Sequence, residues 1–407
     1  PAQFSAVIIS QPEGSQDATV EIITELADGL SGIYDADFYA TISGNYTFEF
    51  SVNSLLNGVA TVAPVGVVSI VVSPAGPVAA ASSADTQALS AAVAGEQTAF
   101  TVALADMFGN SISNVNADVE IQVAVEKVVA SDNETTTQVF DADSGCIFVS
   151  PVFQCYVTTW QSGQYLAVIS LATLNHTAAL PESPYPMDVH AADMDPSTTT
   201  AFGAGMSQAV AGEPSTFKVT ARDVYGNELT SGGNSASILL QISGPETVNT
   251  TAAVSDNMDG SYNVSYVVTQ AASLPPYELD VWVLGAKIAS VPAVVVQPNL
   301  PHSSTSTLSQ IINGLQTGSI TSFVVGLFDQ YSNAVADTDS VDISISRESI
   351  AAKFTSVVVA NTIEVTYSAA LAGSYQIAID FEESTASTAL DTIVSCTSAE
   401  RVYEGAT

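Results

Sequence analysis

The chain has 407 residues, more than one ordinary domain holds, and 47% of them are hydrophobic, which is enough for packed cores. Only 7 Lys and Arg residues stand against 42 Asp and Glu, so the formal net charge is −35. This balance excludes the basic surfaces that bind nucleic acid or anionic membranes, and no apolar run approaches the roughly 18 residues of a membrane-spanning helix. We therefore expect no nucleic-acid partner and no direct membrane insertion.

Short β-branched runs, separated by Gly, Pro, Asn and Asp, dominate the whole chain, and helical periodicity is nearly absent. This pattern predicts an all-β fold. Charged residues make up 12% of the chain, against roughly 25% in a typical domain, so uncharged polar residues must cover much of the surface. Such surfaces are common in secreted coats and fibres.

The first 77 residues contain an alternating strand that begins at Tyr46 and continues through Phe48 and Phe50. The same opening recurs in later segments, at Tyr165, Tyr277 and Tyr375. The spacings of 119, 112 and 98 residues correspond to one β-sandwich per repeat. A Tyr at the start of a late strand is the tyrosine-corner position of immunoglobulin-like sandwiches.

A second repeated segment starts at Gly95, Gly212 and Gly318, and the first 77 residues lack it. An aromatic residue, an Asp and an Asn follow each Gly at fixed offsets: Phe100, Phe217 and Phe323, then Asp106, Asp223 and Asp329, then Asn110, Asn227 and Asn333. A phosphate-binding loop would need a following helix and basic residues, and neither is evident. We interpret the segment as a strand and the turn after it, with Asp and Asn bonding local backbone amides.

The pattern G-E-x-x-x-F-x-V-x-x-x-D-x-x-G-N, a later D-N-x-D-G-x-Y and then a Tyr-led strand resemble the filamin-type immunoglobulin-like repeat. Residues 212–298 match this pattern from end to end, whereas residues 95–193 carry an insertion around Cys146 and Cys155. Residues 301–400 match more loosely, with Ser332 in place of the turn Gly, and residues 1–77 match only the second half of a repeat.

The resemblance predicts tandem sandwiches in a linear array, each with seven strands. We expect a partial sandwich over 1–77, a repeat with the Cys146/Cys155 insertion over 78–194, a repeat over 195–298, and a divergent repeat with a C-terminal overhang over 299–407. The actin-binding domain of cytoplasmic relatives is not present, so actin crosslinking is not carried over. The partial sandwich implies either that a preceding piece was removed or that another chain supplies its missing strands. The overhang, residues 391–407, is a candidate donor.

Cys146 and Cys155 flank a short segment with Pro151 as a natural bend, so two strands folded on each other would bring the sulfurs into disulfide range. Two buried free thiols are the alternative. A disulfide would indicate an oxidising compartment. Cys396 is left over, either for an intermolecular disulfide or as a free thiol.

Five N-x-S/T sequons are candidate N-glycan sites: Asn45, Asn133, Asn175, Asn249 and Asn263. A chain so rich in Ser and Thr produces several sequons by chance, so their number alone decides little. Asn45 and Asn263 alternate with core positions of their strands and are therefore expected to face outward.

Little in the sequence points to catalysis. The three histidines, His176, His190 and His302, stand in different contexts, and we read them as surface or loop residues rather than part of a metal set or a catalytic triad. The acidic segments DADSG (141–145) and DNMDG (256–260) are interpreted as turns, with a Ca²⁺ site as the alternative, although the Glu that completes a calcium loop is absent. We predict no enzyme and no cofactor.

Two functions remain open. The first is a structural subunit of an extracellular or cell-surface glycoprotein rod or fibre, which assembles head to tail by strand complementation. The second is an adhesion or ligand-binding ectodomain module of a larger surface protein. The expected partners are further copies of the chain or other surface glycoproteins.

Overall fold

The computed structural model describes residues 3–15, 17–23, 35–56, 59–131, 134–244, 252–271, 276–309, 317–347, 350–371 and 373–382. These residues form β-strands joined by turns and four short 3-10 helices, Ala79–Ala81, Gln87–Ala91, Ala204–Met206 and Ser235–Ser237. Within the described ranges, no helix has the length and apolar character needed to cross a membrane. The chain divides into two compact units, Pro1–Ala192 and Asp193–Thr407, and each holds two sandwiches.

The first sandwich has five described strands: β1 (Gln3–Ser10), β2 (Thr19–Ile23), β3 (Asp35–Tyr39), β4 (Gly44–Leu56) and β5 (Val59–Val72). One sheet has the order β1-β4-β5, and β2 pairs with β3 in the other. Tyr46 and Phe48 are buried on β4, and the ring of Phe38 packs on both at centroid distances of 4.9 and 4.7 Å. By contrast, thirteen of the fourteen residues of β5 are exposed.

The second sandwich has ten strands: β6 (Ser83–Asp85), β7 (Ala92–Val93), β8 (Thr98–Ala103), β9 (Glu120–Ser131), β10 (Glu134–Phe140), β11 (Asp143–Val149), β12 (Val152–Thr158), β13 (Gly163–Thr173), β14 (His176–Ala179) and β15 (Tyr185–His190). Its sheets have the orders β10-β9-β13-β15-β7, with β14 also on β13, and β11-β12-β8-β6. Apolar side chains that alternate along β8, β12 and β13 fill the space between the two sheets.

Two expectations for the second sandwich were wrong in detail. Asp143 opens β11, so residues 141–145 lead into a strand rather than forming its hairpin turn, which lies at Ser150 and Pro151. The extra element is β10, which extends the β9 sheet, and not the segment with the two cysteines. Cys146 and Cys155 lie opposite each other on β11 and β12, two ordinary strands of the sandwich. The Asp-rich segment misled because an Asp followed by a Gly is also a turn signal.

The third sandwich has eight strands: β16 (Thr200–Phe202), β17 (Gln208–Val210), β18 (Ser215–Thr220), β19 (Ile238–Ser243), β20 (Ala253–Asp256), β21 (Ser261–Tyr266), β22 (Tyr277–Val283) and β23 (Ala286–Gln297). The sheets have the orders β16-β18-β21-β20 and β17-β23-β22-β19. Alternation is clear in β22, where Tyr277, Leu279, Val281 and Val283 are buried. The five strands of the first sandwich pair with one another as β19–β23 do, so counterparts of β16, β17 and β18 are absent from its described residues.

The fourth sandwich has seven described strands: β24 (Thr307–Leu308), β25 (Ile320–Gly326), β26 (Val341–Arg347), β27 (Ile350–Ala351), β28 (Phe354–Val359), β29 (Thr362–Ser368) and β30 (Gln376–Phe381). They form the sheets β24-β25-β29-β28 and β27-β26-β30. Phe323, Leu327, Ile345 and Val365 are among the residues of its core. The predicted overhang, residues 391–407, lies outside the described residues.

Candidate functional site: the joints between sandwiches

The same five-residue turn follows the strands β8, β18 and β25. In the second sandwich, Oδ1 of Asp106 accepts hydrogen bonds from the backbone amides of Phe108 and Asn110, both at 2.9 Å. Its Oδ2 accepts one from the side-chain amide of Asn110 at 2.7 Å. Asp106 is only 1% exposed. A buried charge is costly unless hydrogen bonds compensate it, and groups of the same turn supply these bonds to the Asp106 carboxylate.

The turns of the third and fourth sandwiches repeat this geometry. Asp223 accepts from the side chain of Asn227, and Asp329 from that of Asn333, each at 2.7 Å. The residue before the Asn is left-handed in each turn: φ is +87° at Gly226 and +69° at Ser332. Ser332 therefore keeps a backbone conformation that favours glycine, which explains how the fourth repeat retains the turn without one.

The second sandwich is connected to the first by hydrogen bonds of the Asn110 side chain, which we call the Asn110 joint. They bind the tyrosine corner of the first sandwich, the segment that precedes Tyr46. The side-chain amide of Asn110 donates to the carbonyl of Thr41, and its Oδ1 accepts from the backbone amide of Ser43, both at 2.8 Å. These contacts bracket Ile42, whose carbonyl accepts the hydroxyl of Tyr46 at 2.8 Å. A side chain that sequence reasoning assigned to a local turn thus binds the preceding sandwich.

The Asn333 joint is built in the same way between the third and fourth sandwiches. The side chain of Asn333 donates to the carbonyl of Thr269 and accepts from the amide of Ala271, again both at 2.8 Å. The bracketed carbonyl, that of Gln270, accepts the hydroxyl of Tyr277 at 3.0 Å. Two joints in different units therefore use the same atoms in the same roles.

The linkers are also fixed by the Asp of the turn. The backbone amide of Ala75 donates to Oδ2 of Asp106 at 2.9 Å, and that of Asn299 donates to Oδ2 of Asp329 at 3.0 Å. The side chain of Asn299 reaches back to the carbonyl of Ala211 at 3.1 Å. The turns of Asp106 and Asp329 consequently hold both the corner of the preceding sandwich and the chain that leads out of it.

An aromatic ring covers one edge of the Asn333 joint. Tyr331 lies against Gly212, where a Cβ would come within 2.5 Å of the tyrosine hydroxyl oxygen. Gly212 also has a φ of +82°, so this position favours glycine both for its conformation and for the close approach of the ring. Gly318, at the same position of the fourth sandwich, has a φ of +84° but no described atom within 4 Å of such a Cβ.

The electrostatics of the Asn110 joint favour a charged carboxylate. Burial of Asp106 opposes its ionisation, but hydrogen bonds from the Asn110 side chain and from nearby backbone amides outweigh it and hold the pKa of Asp106 below its ordinary value. Hydrogen bonds to a charged group are stronger than those between neutral groups. The joint is thus held best when this carboxyl is ionised.

This arrangement restrains motion rather than performing chemistry. Each joint combines two amide contacts with the corner, which contribute about 0.5–1.5 kcal/mol net each, and one charge-assisted contact with the linker, which contributes about 1.5–3 kcal/mol. The sequence could locate the Asp and Asn but not their partners across the joint. The sequence features that mark such a joint are the fixed Asp–Asn spacing of the turn and the Tyr of the preceding corner.

A profile of the Filamin/ABP280 repeat matches residues 193–294. These residues are a filamin repeat. The match contains the third sandwich up to β23, including the turn of Asp223 and Asn227. The first, second and fourth sandwiches share its elements to the extents described above.

Several solved structures are similar to this chain. The adhesin FdeC of Escherichia coli matches with a TM-score of 0.53 and 15% identity, over 79% of this chain and 98% of the adhesin. Invasin, a bacterial integrin-binding protein, has a TM-score of 0.38 and 13% identity over 74% of this chain, which spans 56% of invasin. The Lin-41 filamin domain has a TM-score of 0.21 and 20% identity over 28% of this chain and 97% of that domain. The protein is an all-β chain of tandem immunoglobulin-like sandwiches.

The other predicted site residues that the structure describes make none of the hydrogen bonds of the two joints. Cys146 and Cys155 form a disulfide between adjacent strands, whereas Cys396 lies outside the described residues. Three of the sequon residues are exposed, namely Asn45, Asn175 and Asn263, and the other two, Asn133 and Asn249, are outside the described ranges.

The histidines and the acidic turn have local contacts. His176 is exposed on β14, His190 Nε2 lies 3.9 Å from a carboxylate oxygen of Asp188, and His302 Nδ1 lies 2.9 Å from the hydroxyl of Ser304. At 256–260, Asp256 accepts from the amide of Met258 at 2.8 Å, as in a turn. Among the described residues, no group of three or more His, Cys, Asp and Glu side chains could hold a metal ion.

Proposed function

We propose that the chain is a non-enzymatic structural module of an extracellular or cell-surface protein, in which hydrogen-bonded joints connect the first sandwich to the second and the third sandwich to the fourth. The observation that carries this proposal is the repetition of one joint: Asn110 and Asn333 make the same pair of backbone contacts in two different units. A module with fixed joints would project a binding surface away from a cell or transmit force along a rod.

The surface location is supported by several independent features. The fold is that of a bacterial adhesin, and the disulfide of Cys146 and Cys155 suits an oxidising compartment. A surface with 12% charged residues and very few amines suits a coat or fibre. We propose N-glycans at the exposed sequons Asn45, Asn175 and Asn263. Intact-mass measurement of the native protein before and after glycosidase treatment tests them, and an unchanged mass would contradict this part.

Small-angle scattering of the full chain tests the joints. The double variant Asn110→Ala/Asn333→Ala should broaden the distribution of interatomic distances, because each joint loses both contacts with its corner segment. Asn257→Ala, which removes an asparagine that bonds within its own sandwich to Ser261, is the matched control and should leave the distribution unchanged. A double variant that scatters like the wild type would contradict fixed joints as the basis of the function.

Assembly by strand complementation is the finer part of the proposal. The first sandwich supports it, because β5 has exposed valines along almost its whole length and no described strand on its outer edge. A strand from another copy would pair along this edge. Filaments visible by electron microscopy, with Cys396 in an intermolecular disulfide on a non-reducing gel, are the expected result.

Adhesion is the second candidate and is favoured by the FdeC-like fold. The same electron microscopy experiment separates it from assembly: a protein that stays monomeric at high concentration and binds a surface glycoprotein saturably is an adhesion module.

A further inference from the structure

One end of the fourth sandwich contains a cavity of about 480 Å³. The ends of β26, β27 and β29 line it, together with residues 352–353, 370–371 and 375, and the side chains used below are those of Arg347, Lys353, Ser368, Leu371 and Tyr375. The volume lies in the range of about 300–1,000 Å³ that is typical of small-molecule sites. The described lining holds two cations and no carboxylate.

Cations are scarce in this protein, and three of the six Lys and Arg residues in the described ranges have a side-chain partner. Arg222 pairs with Glu228 at 2.5 Å and Lys287 with Asp280 at 2.9 Å. Lys127 donates to the side-chain oxygen of Gln161 at 2.8 Å. Within the described part of the chain, neither Arg347 nor Lys353 forms an ion pair. Among the described residues, two of the three cations without a side-chain hydrogen bond or ion pair, Arg347 and Lys353, line this one cavity, and the third, Lys218, lies on the third sandwich.

Two contacts position side chains of the cavity wall. The Arg347 side chain passes over Gly373, where a Cβ would come within 2.8 Å of Cζ of the guanidinium group. The hydroxyl of Tyr375 donates to the carbonyl of Leu371 at 3.0 Å, which holds the ring against the same segment. A guanidinium group in a defined position can bind a carboxylate through two parallel hydrogen bonds.

We propose that this cavity binds an acidic sugar residue. Arg347 takes the carboxylate, Lys353 adds a second positive charge, and the ring of Tyr375 with the side chain of Leu371 supports the apolar face of the sugar. The Ser368 hydroxyl is available to a sugar hydroxyl. The charge of −35 repels polyanions over long distances, which favours a ligand with one acidic group over a nucleic acid or a densely sulfated chain.

A shallow, open surface depression is continuous with the cavity and shares Ala352, Lys353 and Ser368 with it. Phe354 and Tyr367 also line this depression. A neutral sugar attached to the acidic one would lie against this open surface. The proposal is independent of the joints, since none of its residues takes part in them.

Titration of the full chain with glucuronate, followed by chemical-shift perturbation, tests the site against glucose, which has the same ring but no carboxylate. Glucuronate should bind at least about tenfold more tightly than glucose, which corresponds to about 1.4 kcal/mol. Arg347→Gln and Lys353→Gln should each weaken glucuronate binding by about tenfold. Lys218→Gln removes the same charge from the third sandwich and should change nothing.

Gly373→Ala provides a test that keeps every charge: it displaces the guanidinium group and should weaken glucuronate binding even though Arg347 is present. If Arg347→Gln does not fold, Lys353→Gln still tests the proposal, because Lys353 is exposed and its substitution should not disturb folding. Equal binding of glucose and glucuronate, no binding of glucuronate, or unchanged binding in Lys353→Gln would overturn the proposal. Inorganic sulfate that competes as strongly as glucuronate would overturn the assignment to a sugar.

Discussion

The first and third sandwiches contain the same tyrosine corner but differ in how much of the sandwich surrounds it. In the third, eight strands enclose Tyr277 and Leu279, both at most 1% exposed. In the first, five described strands still bury Tyr46 and Phe48, to 0% and 2%, while β5 is exposed. The corner is therefore equally buried in both sandwiches, although five strands are described in the first and eight in the third.

The largest expected difference between the two sandwiches concerns their cores. Leu279→Ala should lower the free energy of unfolding of the third sandwich by about 2–5 kcal/mol, because the two packed sheets prevent the cavity left by the leucine side chain from closing. Phe48→Ala, at the matching position of the first, should cost less than about 3 kcal/mol, since the two short strands β2 and β3 can close on the gap. Hydrogen exchange of the amides of each sandwich measures the two losses separately. A larger loss for Phe48→Ala would mean that the first core is as well enclosed as the third.

The joints should respond equally in spite of this difference. Asn110→Ala and Asn333→Ala each leave a part-buried carbonyl and a part-buried amide without the side chain that binds them, at a cost of about 0.5–1.5 kcal/mol for each lost hydrogen bond of the joint. Faster hydrogen exchange at Ser43 and at Ala271, the two amides that donate to these side chains, is the measurement. If only Ala271 exchanges faster, the incomplete sandwich does not support a working joint.

A smaller effect on stability distinguishes the cost of a left-handed backbone conformation from the cost of a clash with a side chain. Gly212→Ala and Gly318→Ala both force a left-handed φ on alanine, which costs roughly 1–2 kcal/mol. Gly212→Ala should cost more, because its Cβ must displace Tyr331. Thermal unfolding of both variants, repeated with Tyr331→Ala, measures the extra cost, and a difference that persists without the tyrosine ring would contradict this explanation.

The smallest effect is a dependence on pH at the Asn110 joint. A carboxyl whose pKa is lowered in the folded state stabilises the protein above its ordinary pKa of about 3.9, and this contribution is lost as the pH falls through the lowered value. The joint should therefore loosen only in acid, below about pH 4. The amide resonance of Ala75, which donates to Asp106, should report this transition, and Asp106→Asn should abolish it. A transition that survives in Asp106→Asn would belong to another group.

The sequence predicted the fold class, because strand alternation and fixed offsets from Gly to Phe, Asp and Asn are local patterns. It predicted the disulfide partners as well, since two cysteines on either side of a bend have few alternatives. The contacts of Asn110 with Thr41 and Ser43 could not be predicted, because 67 or more residues separate the partners. Only the folded first sandwich brings its corner to that side chain.

The acidic cluster at 141–145 shows a second limit. The Asp and Gly residues there satisfy the rule for a turn, yet Asp143, Ser144 and Gly145 pair along β12. Local propensity was overridden by the partner strand, which also fixes Cys146 opposite Cys155. The cavity of the fourth sandwich is a third case: Arg347 and Lys353 are visible in the sequence as rare cations, but their convergence depends on how the sheet ends.

The amide group of Asn110 and that of Asn333 contact only main-chain atoms of the preceding sandwich. Such a joint depends on the positions of backbone carbonyl and amide groups and not on the side chains of the residues that carry these groups. The corner positions that it contacts therefore tolerate many residue types. Any sandwich with the corner can then precede any sandwich with the turn. Domains of this type could be duplicated, exchanged or reordered by recombination without a new interface having to evolve at each boundary, which would let such a chain change its length while its joints stay the same.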